Sequence, residues 1–286
     1  MSLTTADTAL LTNVLQEAIF TASERSIAGD VFTVYDMTGT PGLTAQIPVY
    51  PEIAASDLSE GSDLTASAVG TSSVTITAAE IGARADLSDL LREGSARDVA
   101  SDIGVLLGNA IGEKIDTNAF SLFRSVTASV GTSGDGSELT PSKILQGIYT
   151  LRSKNAPTDA DGDYMCVINP NQAYNVANVL QGAGVGTSAN AISMVGNDIL
   201  SKGAFLGRLY NAKVFMSTAV DGDSAEAVGC VFSPQAFGHV LKRPLTIKTQ
   251  EDISERTVEF VGTTSRGNAI LKDDYAVRLI AESVID

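Results

Sequence analysis

At 286 residues the chain suffices for one large domain or two modest ones, and its 44% hydrophobic and 19% charged residues exclude a disordered protein. A formal net charge of −15 excludes a generic nucleic-acid binder, because affinity for phosphate comes from lysine and arginine releasing counterions. One histidine (His239), two cysteines (Cys166 and Cys230) and no tryptophan leave no set for a zinc centre, a Cys-His pair or a Ser-His-Asp triad, so no catalytic, cofactor-binding or metal-ligating residue is assigned.

Leu10, Leu11, Val14, Leu15, Ala18 and Ile19 recur at helical spacing and predict an amphipathic helix over roughly residues 5–24. The opening MSLTTADTALL has no basic residue ahead of its apolar stretch, and no run of about 18 apolar residues follows, so a soluble chain made in a cytoplasm is expected. After Gly29 and Asp30 the texture turns to alternation. VFTVYDM, LTAQIPVY and SVTIT read as strands, with Leu43, Ala45, Ile47 and Val49 on one face. This stretch holds too few large apolar residues to own a core, and a long projecting hairpin is expected.

Ser95 and Asp98 form a capping box for the strongest element, a helix from 95 to about 123 with Val99, Ile103, Leu106, Leu107, Ala110, Ile111 and Ile115 as its apolar stripe. Gly104, Gly108 and Gly112 climb it at four-residue intervals, which suits either close backbone packing or a flexible helix that bends. Thr140 and Pro141 open a helix to about Ser153 as N-cap and first residue. The polar turn NAPTDADGD leads into the strand YMCVI, and Asn169, Pro170 and Gln172 supply cap, proline start and capping-box partner for a helix to about Gln181. GRLYNAKVFMSTAV and EAVGCVF read as strands, SPQAFG as a capped turn, and LTIKTQ, TVEFVG, AIL and AVRLIAES as closing strands. The pattern is α+β without regular βαβ alternation.

Four features invite chemistry. GAGVG at 182–186 meets neither phosphate-loop spacing and follows a helix, so it is expected to be a plain loop. Asp159, Asp161 and Asp163 with Gly162 resemble the start of a calcium loop, but Pro170 stands where the bidentate glutamate belongs, and a solvated turn is expected. Cys166 and Cys230 lie in apolar runs and read as buried thiols of a reducing compartment. His239 is expected to be structural.

The charge distribution is uneven. No lysine or arginine occurs between Arg25 and Arg84, while Asp30, Asp36, Glu52, Asp57, Glu60, Asp63 and Glu80 all fall inside. Such a hairpin either solubilises the chain or lands on a basic surface, and a long ribbon of small side chains is an edge-pairing hazard unless a neighbour covers it. The candidate inter-subunit contacts are Asp57, Glu60 and Asp63 against Arg84, Arg92, Arg97, Lys242 and Arg243.

An N-terminal helix, a two-stranded arm, a long helix, an α/β region and returning strands, in that order, resemble the major capsid protein of tailed double-stranded DNA bacteriophages, the Hong Kong 97 fold. ITAAEIGARADLSDLLREGSARDVASDIGVLLGNAIGEKIDTNAF looks like that family's passage from extended loop into spine helix, and INPNQAYNVANVL like its first inner-domain strand and helix. GRLYNAKVFMSTAV looks like its loop-to-strand segment, and VFSPQAFGHVLKRPLTIKTQEDISERTVEFVGTTSRGNAILKDDYAVRLIAESV like its closing strands. The resemblance implies an N-terminal arm over 1–28 and an extended β-hairpin loop over 29–84. A peripheral domain with the spine helix then covers 85–139 and 239–266, and an axial α/β domain covers 140–238 and 267–286.

It further implies a non-enzymatic structural protein without cofactors. Identical subunits would self-assemble as hexamers and pentamers of an icosahedral head, in the virion and, during assembly, in the host cytoplasm. The expected partners are a portal, a decoration or cement protein and a scaffolding protein. The family's long N-terminal scaffolding region is missing, so either a separate scaffold exists or the sequence is a processed product, a reading against which the initiating Met1 argues. Packaged DNA is contacted only non-specifically, and no membrane is involved. Members that weld neighbours use a loop lysine; none occurs in this loop, so assembly is expected to be non-covalent. The N-terminal helix is expected to present its apolar face (Leu11, Val14, Leu15, Ile19) to assembly rather than to subunit folding. Two alternatives remain: an encapsulin-like cellular compartment, and a carboxylate-based enzyme or calcium-dependent module built on Asp159, Asp161 and Asp163.

Overall fold

The computed structural model describes residues 14–22, 26–50, 55, 57, 61, 70, 72–94, 99–134, 136–182, 205–220 and 226–282. A helix α1 is described over 14–22, followed by the single turn α2 (Ala28–Val31) and strand β1 (Thr33–Asp36). VFTVYDM is therefore not all strand, since Val31 closes α2, and its side chain and that of Phe32 enter the core instead.

The alternating sequences LTAQIPV and SVTIT form the expected ribbon: β2 (Thr44–Val49) pairs antiparallel with β3 (Ser72–Thr77), Ala45 opposite Ile76 and Ile47 opposite Val74. Strand β4 (Ala79–Ser88) follows at once but joins a different sheet, then the short α3 (Asp89–Gly94) and the long α4 (Val99–Phe120) with a 3₁₀ turn at Ser121–Ser125. The Ser95/Asp98 capping box lies outside the described residues.

The first sheet has the order β1-β10-β11-β4, with β10 at Phe237–Asp252 and β11 at Thr257–Ile270. LTIKTQ and TVEFVG are thus parts of two long strands, not separate elements. β10 carries a register shift on either side of Arg243, where Pro244 removes a donor, and continues afterwards. Its alternate residues Leu245 and Ile247, with Phe260 of β11 and Leu87 of β4, turn inward and are buried. Ile103, Leu107, Ile111 and Ile115 of α4 are buried in the same core, and an added Cβ on Gly262 would meet Ile111 Cδ1 at 3.0 Å. Leu106, placed in the apolar stripe from sequence, is instead 64% exposed.

The second sheet has the order β5-β12-β9-β6-β8-β7. Its strands are β5 (Ser129–Val130), β6 (Tyr164–Ile168), β7 (Phe205–Leu209), β8 (Ala212–Met216), β9 (Glu226–Phe232) and β12 (Ala276–Glu282). β6 is buried along its whole length, as an apolar run flanked by strands on both sides requires. Helix α5 (Pro141–Ser153) packs on this sheet through Gly147, beside Val231 and Leu279. Thr140 occupies the N-cap position, but its hydroxyl makes no capping bond; its carbonyl accepts from Lys143 N–H at 3.0 Å. Helix α6 (Pro170–Gly182) is capped as its sequence requires: Asn171 N–H donates to Asn169 Oδ1 at 3.0 Å, and Asn169 N–H donates to Gln172 Oε1 at 3.3 Å.

Phe232 of β9 and Phe237 of β10, one from each sheet, meet Phe32 of the α2–β1 link, Phe120 of α4 and Phe123 of the 3₁₀ turn, and the five rings join the two sheets in one core. Phe32 stacks on Phe237 at 4.8 Å between ring centroids, and Phe232 meets Phe237 edge-on at 4.9 Å.

Candidate assembly surface

The β2–β3 ribbon is amphipathic. Ala45, Ile47, Val49 and Val74 share one half-buried face, and only Ile76, at the ribbon's base, is fully enclosed, against Gly238 and Leu271. Tyr50, just beyond β2, is 57% exposed. A two-stranded ribbon buries too little by itself to be stable, so this face requires another surface. At the opposite end of the first sheet, Leu90 (82% exposed) and Ile253 (71% exposed) stand near each other, because Asp89 N–H donates to the Arg256 carbonyl at 3.0 Å.

The candidate contact residues have diverse fates. Asp57 is exposed, as a docking residue must be, while Glu60, Asp63 and Arg97 lie outside the described residues; the Arg92 backbone lies in α3. Arg84 is already answered within the chain, by Asp86 at 2.7 Å and Glu259 at 2.7 Å. The hydrogen bond to Asp86 raises the Arg84 pKa and lowers that of Asp86. Arg243 pairs with Glu80, and Lys242 donates to the Met37 carbonyl at 3.4 Å and to the Thr40 carbonyl. These cations tie β4, β10 and the β1–β2 turn together. Among the described residues, Lys114, Lys248 and Arg256 are exposed without a polar partner, and these were not singled out from sequence.

Two of the three glycines of α4 receive α1. An added Cβ would stand 2.7 Å from the Val14 carbonyl oxygen at Gly104, and 2.6 Å from that of Ala18 at Gly108; Gly112 is buried. This corrects the reading of α1, whose Val14, Ala18 and Ala22 belong to the subunit's own core while Ile19 points outward, 45% exposed.

The four-residue interval of the stripe continues to Asp116, a residue the sequence reading passed over. Its carboxylate, 2% exposed, accepts from Ser26 Oγ at 2.8 Å, Ile27 N–H at 3.0 Å and Ala28 N–H at 3.1 Å. It thereby caps α2 from a different helix. Burial pushes its pKa up, and the bonds from Ile27, Ser26 and Ala28 oppose that shift.

The remaining motifs resolve into structural roles. Asp159 and Asp161 take Lys213 at 2.8 Å and 2.7 Å, and Asp163 takes Arg208 at 2.6 Å, so the calcium-loop carboxylates are matched by side chains of the β7–β8 hairpin. The hydrogen bond from Lys213 lowers the Asp159 pKa. Cys166 and Cys230 are free and fully buried, and burial pushes the Cys166 thiol up to about 12. His239 is buried; its Nδ1 meets Asn268 Oδ1 at 2.6 Å and its Nε2 meets Arg266 Nη1 at 3.3 Å, an arrangement satisfied by the neutral tautomer protonated on Nδ1. Among the described residues no helix is long and apolar enough to cross a membrane, and no metal-binding cluster occurs. GAGVG lies outside them beyond Gly182.

No curated protein matches the sequence. Among solved structures, the capsid of cyanophage P-SCSP1u is similar at 17% identity and TM-score 0.63, covering 89% of this chain and 87% of that one. The capsid of Ralstonia phage GP4 is similar at 10% identity and TM-score 0.67, covering 90% and 91%. A virus-like particle from Pyrococcus furiosus is similar at 12% identity and TM-score 0.62, covering 94% and 98%. A family model described as phage capsid protein matches residues 70–279, well over half of the chain. The chain therefore belongs to the phage capsid protein family and has the Hong Kong 97-like fold.

Proposed function

We propose that this chain is the major capsid subunit of a tailed phage, assembling without covalent cross-links into the hexamers and pentamers of an icosahedral head around double-stranded DNA. The observation that carries the reading is the match of the capsid family over 70–279, which runs from β3 through α4 and both sheets into the first half of β12. The half-buried apolar face of the β2–β3 ribbon supports it, because a neighbouring copy supplies the surface that one chain lacks. On this reading α4 and most of β10 and β11 belong to the peripheral domain of 85–139 and 239–266, and α5, α6 and most of the second sheet to the axial domain; β1, inside the loop range 29–84, pairs in the first sheet, and β5, inside 85–139, pairs in the second. A net charge of −15 keeps the inner wall from adhering to DNA. Scaffold, portal and decoration partners belong to the same proposal.

Electron microscopy of the purified protein tests it. Closed shells or hexamer and pentamer rings are expected; a monodisperse monomer at high concentration overturns it. Charge reversal of Asp57, Glu60 and Asp63 to lysine is expected to reduce shell yield without unfolding the subunit, and unchanged yield removes the acidic loop from the assembly mechanism. One second reading, an encapsulin-like cellular compartment, uses the same fold, which a virus-like particle from Pyrococcus furiosus also shares. Native particles that hold protein cargo in place of DNA would establish it.

A further inference from the structure

A cleft of about 180 Å³ opens where the β3–β4 link crosses β11 against the C-terminal half of α4. The crossing is tight: a Cβ on Gly267 would collide with the Thr77 carbonyl, so only glycine lets the two backbones meet there. Ile81 and Ile115 give the cleft an apolar side. Thr77, Asn118, Arg266 and Asn268 give it a polar one. On β11, Arg266 and Asn268 continue the alternate row of Phe260, Gly262 and Thr264, so a row that starts on a buried phenylalanine ends on polar side chains at the cleft.

The polar side offers donors. Arg266 spends Nη1 on His239 Nε2, and its buried Nε has no partner. No described carboxylate forms an ion pair with it, and both oxygens of Asp116, whose charge acts on it through space, are hydrogen-bonded to Ser26, Ile27 and Ala28. Asn268 commits its carbonyl oxygen to His239, which leaves its amide N–H groups. The Asn118 carboxamide and the Thr77 hydroxyl have no partner among the described residues. The Asp116 carboxylate acts on this guanidinium through space but gives it no hydrogen bond, and a buried N–H donor left without an acceptor costs stability. Guanidinium, amide and hydroxyl donors around one cleft match the chemistry of an oxyanion, which accepts from all of them.

We propose that this cleft binds a small oxyanion, either free inorganic phosphate or, resting on the shell reading above, the carboxylate of a neighbouring copy. The probe is inorganic phosphate titrated against chloride at constant ionic strength, with thermal unfolding of the dissociated subunit as readout. A saturable rise in Tm of about 2–4 °C is expected. Phosphate also stabilises proteins non-specifically without saturating, so the comparison is with Asn118→Asp, which places a carboxylate in the cleft. That variant is expected to lose the saturable shift, as is Arg266→Gln; because Arg266→Gln can impair folding, Asn118→Asp carries the decision. Absence of a saturable shift in the wild type, or an equal shift in Asn118→Asp, overturns the proposal. Shells titrated in parallel identify the source: phosphate bound by shells and subunits alike assigns the site to the free ion, and phosphate bound by subunits alone assigns it to a neighbour's carboxylate. If no shells form, the shell reading fails while the subunit titration still decides the cleft.

Discussion

A methyl group placed on Gly108 of α4 would stand 2.6 Å from the carbonyl oxygen of Ala18 on α1, closer than any carbon packs against backbone. Gly104 and Gly108 thus form the groove into which α1 fits, and their helix-propensity cost, about 1 kcal/mol each relative to alanine, is offset by that contact.

Gly108→Ala is therefore expected to destabilise the subunit by about 1–3 kcal/mol, because the Cβ meets backbone rather than a flexible side chain. Gly104→Ala acts in the same direction from its 2.7 Å approach to Val14. Denaturant unfolding of each variant checks this. Unchanged or increased stability would mean that α1 is not held by the groove, and a stable variant whose early shells fail to expand would identify bending as the stripe's role.

Asp116 gives a pH prediction with a definite sign. Burial raises its folded pKa above the unfolded value, so over the interval between them the native state holds more protons, and stability falls as pH rises. Asp86 and Asp159, whose pKa values are lowered, contribute the opposite slope at more acidic pH. The Asp116 component is isolated by subtracting the stability profile of Asp116→Asn from that of the wild type. The difference is expected to decline from about pH 4, the usual aspartate value, toward neutrality; a flat or rising difference contradicts the buried, raised carboxylate.

Truncating the Asp116 cap has a second readout. Asp116→Ala leaves Ile27 N–H and Ala28 N–H without their acceptors and is expected to cost about 1–3 kcal/mol. Proteolysis is expected to cut first near Ser26 in this variant, ahead of any site in the sheets. Cleavage elsewhere first would show that α2 does not depend on the cap.

Cys166 and Cys230 are expected to resist alkylation at pH 8 in the native protein and to react once guanidinium unfolds it, since burial both excludes the reagent and holds the thiols protonated. Labelling counted by mass spectrometry decides this. Rapid native labelling of either thiol would require the second sheet to open.

Calcium at millimolar concentration is expected to leave Tm unchanged in the wild type, because Lys213 and Arg208 already pair with Asp159, Asp161 and Asp163. A saturable calcium-dependent rise would displace this arrangement and restore a cation-binding role. Asp163 is buried and Lys213 mostly covered, while Asp161 stays exposed.

Sequence by itself determined the elements whose signals are local. Alternation in LTAQIPV and SVTIT specified the ribbon, Asn169, Pro170 and Gln172 specified the start of α6, and the apolar run YMCVI specified a strand buried on both faces. The order of these elements carried the family. Tertiary structure alone decided the pairings of groups far apart in the chain: Val14 and Ala18 on Gly104 and Gly108, Asp116 capping Ala28, and Lys213 answering Asp159. It also decided that Arg84 and Arg243 face carboxylates of their own subunit and that Leu106 looks outward. The physical reason is common to all of them. Periodicity and capping act within a few residues and leave a mark at fixed spacing, whereas the partner of a charge or a groove is fixed by which surfaces the packed core brings together, and no spacing records that.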